Sequence, residues 1–162
     1  MSSLQNKIDF VALVSVTHAN SNGDPLNGNR PRTDYGGFGE ITDVCLKRKM
    51  RDRLQEAGEA IFVQSDEKKT DGMPSLSTRA YDDKAGVGKD TFNTKKTTKD
   101  AASIKVCQKW FDVRAFGQVF AFGKSEDAAG VSIAIRGPLT IQSAFSIAPI
   151  NITSTQITKS VS

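Results

Sequence analysis

The sequence is short of most residue types that carry chemistry. It has one histidine, two cysteines and one tryptophan, and aromatic residues make up 7% of its 162 positions. The two cysteines, Cys45 and Cys107, are far apart and lack Cys-x-x-Cys spacing, which argues against a zinc site or disulfide framework and for free thiols in a reducing compartment. Its N-terminus lacks a signal-peptide layout. The apolar stretch Ile8 to Val16 is too short and interrupted to span a bilayer, so the reading is cytoplasmic, with no membrane partner. Hydrophobic residues reach only 38%, a lean supply for one domain of this length. Lys and Arg number 22 against 18 Asp and Glu, a net charge of +4 that permits a nucleic-acid partner without requiring one.

What is present is concentrated between Asn20 and Arg53. The first part, Asn20-Ser-Asn-Gly-Asp-Pro-Leu-Asn-Gly-Asn-Arg-Pro-Arg, has turn chemistry: glycines for positive φ, prolines for fixed φ, and Asn and Asp side chains that bond their own backbone. The second part predicts a helix over 41–57. Thr42 or Asp43 caps it, Leu46, Met50, Leu54 and Ala57 form an apolar stripe, and Gly58 stops it. Five of the seven residues from Lys47 to Arg53 are basic. Lys47 and Arg51 fall on one flank of the stripe, Lys49 and Arg53 on the other, and only Arg48 has an evident intrahelical partner, Asp52. A solvated basic face is one reading. A polyanion crossing this end is the sharper one, since the Asn/Gly-rich loop and the helix N-terminus also favour phosphate.

Along the chain, Ile8 to Val16 carries apolar residues on both faces and predicts a central strand. Ala60 to Val63 predicts a short strand. Ser65 to Lys99 is rich in Lys, Asp, Thr, Ser and Gly and predicts a flexible insertion that orders on a partner. Asp100 is placed to cap a second helix with Ile104, Cys107 and Phe111 on its apolar face, and Trp110 and Phe111 are assigned to the core. Strands are expected at Gln118 to Phe122, Val131 to Ile135 and Leu139 to Ile147, the first two joined by a hairpin-type connection at 123–130. A Thr/Ile-rich, strand-like tail follows from Ile150. The order is that of an α+β, ferredoxin-like βαββαβ core within a single domain, 1–162, carrying the insertion at 65–99.

Several stretches resemble a known family. Asn22-Gly-Asp-Pro, Gly28-Asn, Pro31-Arg, Thr42-Asp-Val-Cys-Leu-Lys-Arg-Lys, Asp112-Val-Arg-Ala-Phe-Gly-Gln-Val, Ile135-Arg-Gly-Pro-Leu-Thr-Ile-Gln and Ser146-Ile-Ala-Pro resemble the family-seven CRISPR-associated protein. It is the backbone subunit of the type I-C Cascade complex, in the RAMP superfamily. The resemblance implies a modified RNA-recognition fold and a non-catalytic subunit. Such a subunit polymerises along CRISPR guide RNA (crRNA) beside copies of itself and other Cascade subunits, holding the guide for target DNA in antiviral defence. Family members run about a hundred residues further, so the chain resembles an N-terminal portion truncated before the thumb. Because that family uses basic residues on this helix, Lys47 and Arg51 are the first candidate RNA contacts, followed by Lys49, Arg48, Arg30 and Arg32. Gly23, Gly28 and Asn29 shape the loop, and Arg114 and Gln142 complete the set.

Two other classes stay open. His18, the only histidine, or a loop aspartate (Asp24 or Asp34) with a metal could serve a RAMP-type endoribonuclease. That chemistry needs a second group within reach, which the sequence does not supply. In an Asn-Gly-Asp-Pro turn the carboxylate is expected to cap its own backbone. No catalytic residue, metal ligand or cofactor is therefore assigned. The third class is a protein–protein assembly module whose basic helix docks an acidic neighbour. The aromatic spacing of an RNA-recognition motif is missing at Phe10 and Phe120, so phosphate is expected to be gripped and bases left unread.

Overall fold

The computed structural model describes residues 4–122 and 132–158. The chain is α+β and divides into two compact units, Met1–Ile41 with Phe145–Ser162, and Thr42–Ala144.

In the first unit, β1 (Gly23–Asp24) and β2 (Arg30–Pro31) pair antiparallel around a single 3-10 turn, Pro25–Asn27. The turn closes because Gly28 and Asn29 both adopt positive φ (59° and 58°) and Asn29 N–H donates to the Asp24 carbonyl. Strand β3 (Phe38–Ile41) pairs with β6 (Ala144–Pro149). Ile8 to Val16 is not a strand. Its residues are exposed, Val11 and Leu13 by 89% each, and it pairs with no described strand. Beyond Ile150 the described tail is likewise irregular.

The second unit opens with α1 (Asp43–Glu56), which matches the prediction closely. The Thr42 hydroxyl accepts from Cys45 N–H. At the far end Gly58 turns left-handed (φ 92°), Gly58 N–H bonds to Gln55 and Glu59 N–H to Leu54, a Schellman stop. The predicted stripe is not buried, however: α1 has no fully buried residue, and Met50 is exposed.

The core of this unit lies elsewhere. Phe62, Trp110 and Phe120 pack ring against ring (Phe62–Trp110 4.6 Å, Phe62–Phe120 5.0 Å), joined by Ala80, Val87, Phe92, Ala102, Val106, Val113 and Ile133. Three of those, Ala80, Val87 and Phe92, come from the stretch expected to be a flexible insertion. Residues 65–99 instead contain α2 (Leu76–Tyr81) and a 3-10 turn (Lys89–Phe92) and bury Arg79 and Thr91 as well. Scattered apolar residues suffice because they converge on aromatic partners supplied from elsewhere.

Helix α3 (Lys99–Lys109) is capped by Thr98, two residues earlier than the expected Asp100. Its inward face is Ala102, Val106 and the following Trp110, while Ile104 is 60% exposed. Phe111 starts a separate short helix, α4 (Phe111–Phe116), which runs into β4 (Gly117–Ala121). β4 pairs antiparallel with β5 (Ser132–Arg136), Phe120 opposite Ile133, both facing inward. The connection expected at 123–130, with Val131, lies outside the described residues.

Ala60 to Val63 is buried at Ile61 and Phe62 but is not a strand, since its N–H groups bond to a side chain, as shown below. The described strands form three two-stranded ladders, β1–β2, β3–β6 and β4–β5. An α+β class is therefore observed. No single four-stranded ferredoxin-like sheet is traced by the described pairings.

The α4–β4 joint needs its glycines. A Cβ on Gly117 (φ 80°) would stand 2.4 Å from the Ile135 carbonyl oxygen, and one on Gly137 2.2 Å from that of Ala115. Gly58 also has a positive φ (92°) but open space around it. Gly58→Ala is expected to cost about 1–2 kcal/mol, the left-handed penalty alone. Gly117→Ala should cost clearly more, because backbone must also move. Urea midpoints of the two variants check this, and equal losses would refute the steric account.

Candidate nucleic-acid interface

The candidate contacts fall in both units. In the first, Gly23 holds its place in β1 because a Cβ there would strike the Asn29 side chain, whose backbone carbonyl accepts from the Asn20 amide (2.7 Å). Gly28 and Asn29 form the left-handed corner, so all three shape the loop as expected. Arg30 is exposed and makes no ion pair or side-chain hydrogen bond among the described residues. Arg32 is paired with Glu40 at 2.9 Å.

In the second unit α1 distributes its charges more carefully than its sequence indicates. Arg48 meets Asp52 (3.3 Å), as expected. Lys47 reaches back to Asp43 (3.1 Å), and this ammonium holds Asp43 below the usual carboxylate range. Arg53 pairs with Glu56. Lys49 is exposed and has no ion pair or hydrogen bond among the described residues. Arg51 is turned inward. Its Nε–H donates to Asp112 at 2.9 Å, and its guanidinium lies 5.1 Å from the centre of the Phe116 ring. Arg114 covers Phe111 at 5.0 Å and donates to the Cys107 carbonyl; Gln142 is exposed, with no described contact.

Asp112 was missed as anything but family wording. It is 1% exposed and accepts from Phe62 N–H (2.7 Å), Val63 N–H (3.1 Å) and Arg51. Arg79, also read as loop charge, is 4% exposed. It forks onto both oxygens of Asp71 and donates to the Phe62 carbonyl (2.9 Å). The Phe62 N–H and C=O are thus held by two separate charged side chains. Nothing in local spacing signals either partnership.

The nuclease candidates are occupied by turns. Asp24 accepts from Leu26 N–H, and Asp34 from both Gly36 and Phe38 N–H. His18 is exposed with φ 48°. Among the described residues no three His, Cys, Asp or Glu side chains gather to hold a metal, and no helix is long and apolar enough to cross a membrane. Phe120 is fully buried and so unavailable for base stacking; Trp110 is core, as expected. Tyr35, which the sequence reading passed over, stands fully exposed in the turn that Asp34 caps. An aromatic inside Asp-Tyr-Gly-Gly was the available signal. Cys45 and Cys107 form no disulfide among the described residues and are half-buried, and burial pushes the Cys107 thiol up.

Comparison with known proteins decides the family. The model for "CRISPR-associated protein Cas7" matches residues 6–162. The chain belongs to the Cas7 family. A curated relative, the CRISPR-associated protein Cas7 of Haloferax volcanii, is 37% identical over 128 residues. That alignment covers 76% of this chain and 36% of the relative, so the chain spans well under half the length of the Cas7 protein it matches.

Arg79 holds the Asp71 carboxyl below its ordinary value of 3.8. A carboxylate depressed in the folded state contributes stability that is present above its unfolded pKa and lost as pH falls through the folded value. Asp71→Asn is therefore expected to lower the urea midpoint at neutral pH and to flatten the acid limb below about pH 4. An unchanged acid limb would show that the pair does not contribute to the fold.

Proposed function

We propose that this chain is the guide-RNA-gripping portion of a Cascade backbone subunit, of type I-C, built on a ferredoxin-like RNA-recognition core and acting in the cytoplasm. Its partners would be crRNA, target DNA through the guide, further copies of itself and other Cascade subunits. Family membership supports the class, and the type rests on the wording of the motifs.

The observation that carries RNA contact is that two exposed cations, Lys49 on α1 and Arg30 beside the Gly28–Asn29 corner, make no ion pair among the described residues. Neither must break an ion pair to meet a phosphate. Lys47, Arg48 and Arg32 are held in partly solvated pairs from which a phosphate could draw them, since such pairs contribute little. Contacts of this kind position the backbone and leave sequence unread, which suits a guide of any sequence. Catalysis is not part of this reading: the Asp24 and Asp34 carboxylates already serve their own turns, and His18 has no assigned partner in proton transfer.

Binding to labelled single-stranded RNA across a salt series tests the contact. Lys49→Gln and Arg30→Gln should each flatten the log K against log salt slope by about 0.7, and the double variant by about 1.4. Unchanged slopes would remove both residues from the interface. The same RNA incubated with Mg²⁺ or Mn²⁺ should remain intact. Cleavage abolished by Asp24→Ala or Asp34→Ala would favour the endoribonuclease instead.

A further inference from the structure

The manner in which α1 is fastened separates its charges into two jobs. The helix has no fully buried residue, so apolar packing does little to fix its rotation about its own axis. What fixes it is polar and specific. Asp43 N–H donates to the Ser143 hydroxyl at the start, and Gln55 donates to the Lys68 carbonyl while Lys68 pairs with Glu56 at the end. Between them Arg51 reaches Asp112, the most deeply buried carboxylate described, which is already held by two backbone N–H groups. The tie at the end is a surface contact and the one at the start is part-buried through a backbone N–H; the Arg51 side chain is only 14% exposed, ends on a carboxylate that is 1% exposed, and is also laid against Phe116. Lys49 precedes Arg51 by two positions, so it projects about 200° around the helix from it.

We propose, resting on the RNA-binding reading above, that Arg51 is a positioning residue for the RNA-contacting face of α1. With Asp112 it locks the rotation that turns Lys49 outward, and its charge, neutralised by Asp112, does not count among the phosphate contacts. The alternative to be excluded is that Arg51 swings out to meet RNA. That move would strand a buried carboxylate without its cation, a costly state.

The test measures RNA binding in salt series for four forms of the chain: unsubstituted, Arg51→Gln, Asp112→Asn, and Arg51→Gln with Asp112→Asn. All are assayed at a temperature where circular dichroism shows them folded. The double variant removes one charge of each sign; the amide replacing Asp112 keeps its oxygen for the Phe62 N–H and can donate to the amide replacing Arg51, while the Val63 N–H loses its acceptor. It is expected to keep the salt slope of the unsubstituted chain, whereas loss of a phosphate contact would flatten it by about 0.7. Arg51→Gln alone should weaken binding roughly tenfold, the lower end of what outer-sphere partners contribute at metal sites. Adding Asp112→Asn should recover most of that loss. A flattened slope in the double variant, or undiminished affinity in Arg51→Gln, overturns the proposal. If the unsubstituted chain shows no salt-sensitive binding, the RNA reading itself falls, and this inference with it.

Should the double variant fail to fold, arginine modification by phenylglyoxal on the unsubstituted chain decides the question. Arg30 should react in free protein and be protected by RNA, while Arg51 stays unreactive in both. An Arg51 that reacts when free and is shielded by RNA would make it a contact.

Discussion

The buried carboxylate of Asp112 is the constraint on which the second unit depends. It sits in the first turn of a short helix, accepts the N–H groups of Phe62 and Val63, and pairs with Arg51. A carboxylate removed from water is tolerable only when its lone pairs are met and its charge is compensated, and all three donors are needed for that. In meeting that requirement it draws together α4, the extended segment 60–63 and α1, whose side chains bury little apolar surface of their own. Arg79 completes the arrangement by holding the Phe62 carbonyl and Asp71. Phe62 is thereby delivered to the ring cluster with its backbone polar groups satisfied, which is why that segment can be buried without belonging to a sheet.

The same network sorts the basic residues of α1. A helix with five cations in seven positions would repel itself in isolation. Here three are offset by Asp43, Asp52 and Glu56 on the same helix and one by Asp112 across the unit, leaving Lys49 outward. The net positive face is smaller than the sequence implies, but it is better defined. The first unit supplies a second exposed cation, Arg30, next to a corner whose geometry is dictated by Gly28 and Asn29. Membership of the Cas7 family is what motivates the proposal that each of these two cations meets a nucleic-acid backbone.

Sequence alone determined the elements whose signals are local. The cap and stop of α1, the β4–β5 pair, the Asn-Gly-Asp-Pro corner and the core assignment of Trp110 all follow from periodicity, φ preference or a side chain bonding its own neighbours. The family was legible as well, because its ordered motifs run the length of the chain. Tertiary structure decided the rest. Residues 65–99 look polar in one dimension, yet place Ala80, Val87 and Phe92 against rings contributed from elsewhere. Ile8 to Val16 has the composition of a central strand, but a strand exists only once it is paired, and no described strand pairs with it. Arg51 and Asp112 are 61 positions apart, and so is the difference between a surface cation and a buried structural one. Pairings at that separation leave no periodic trace, since they are set by where the folded chain brings two charges into low dielectric, not by the residues beside them.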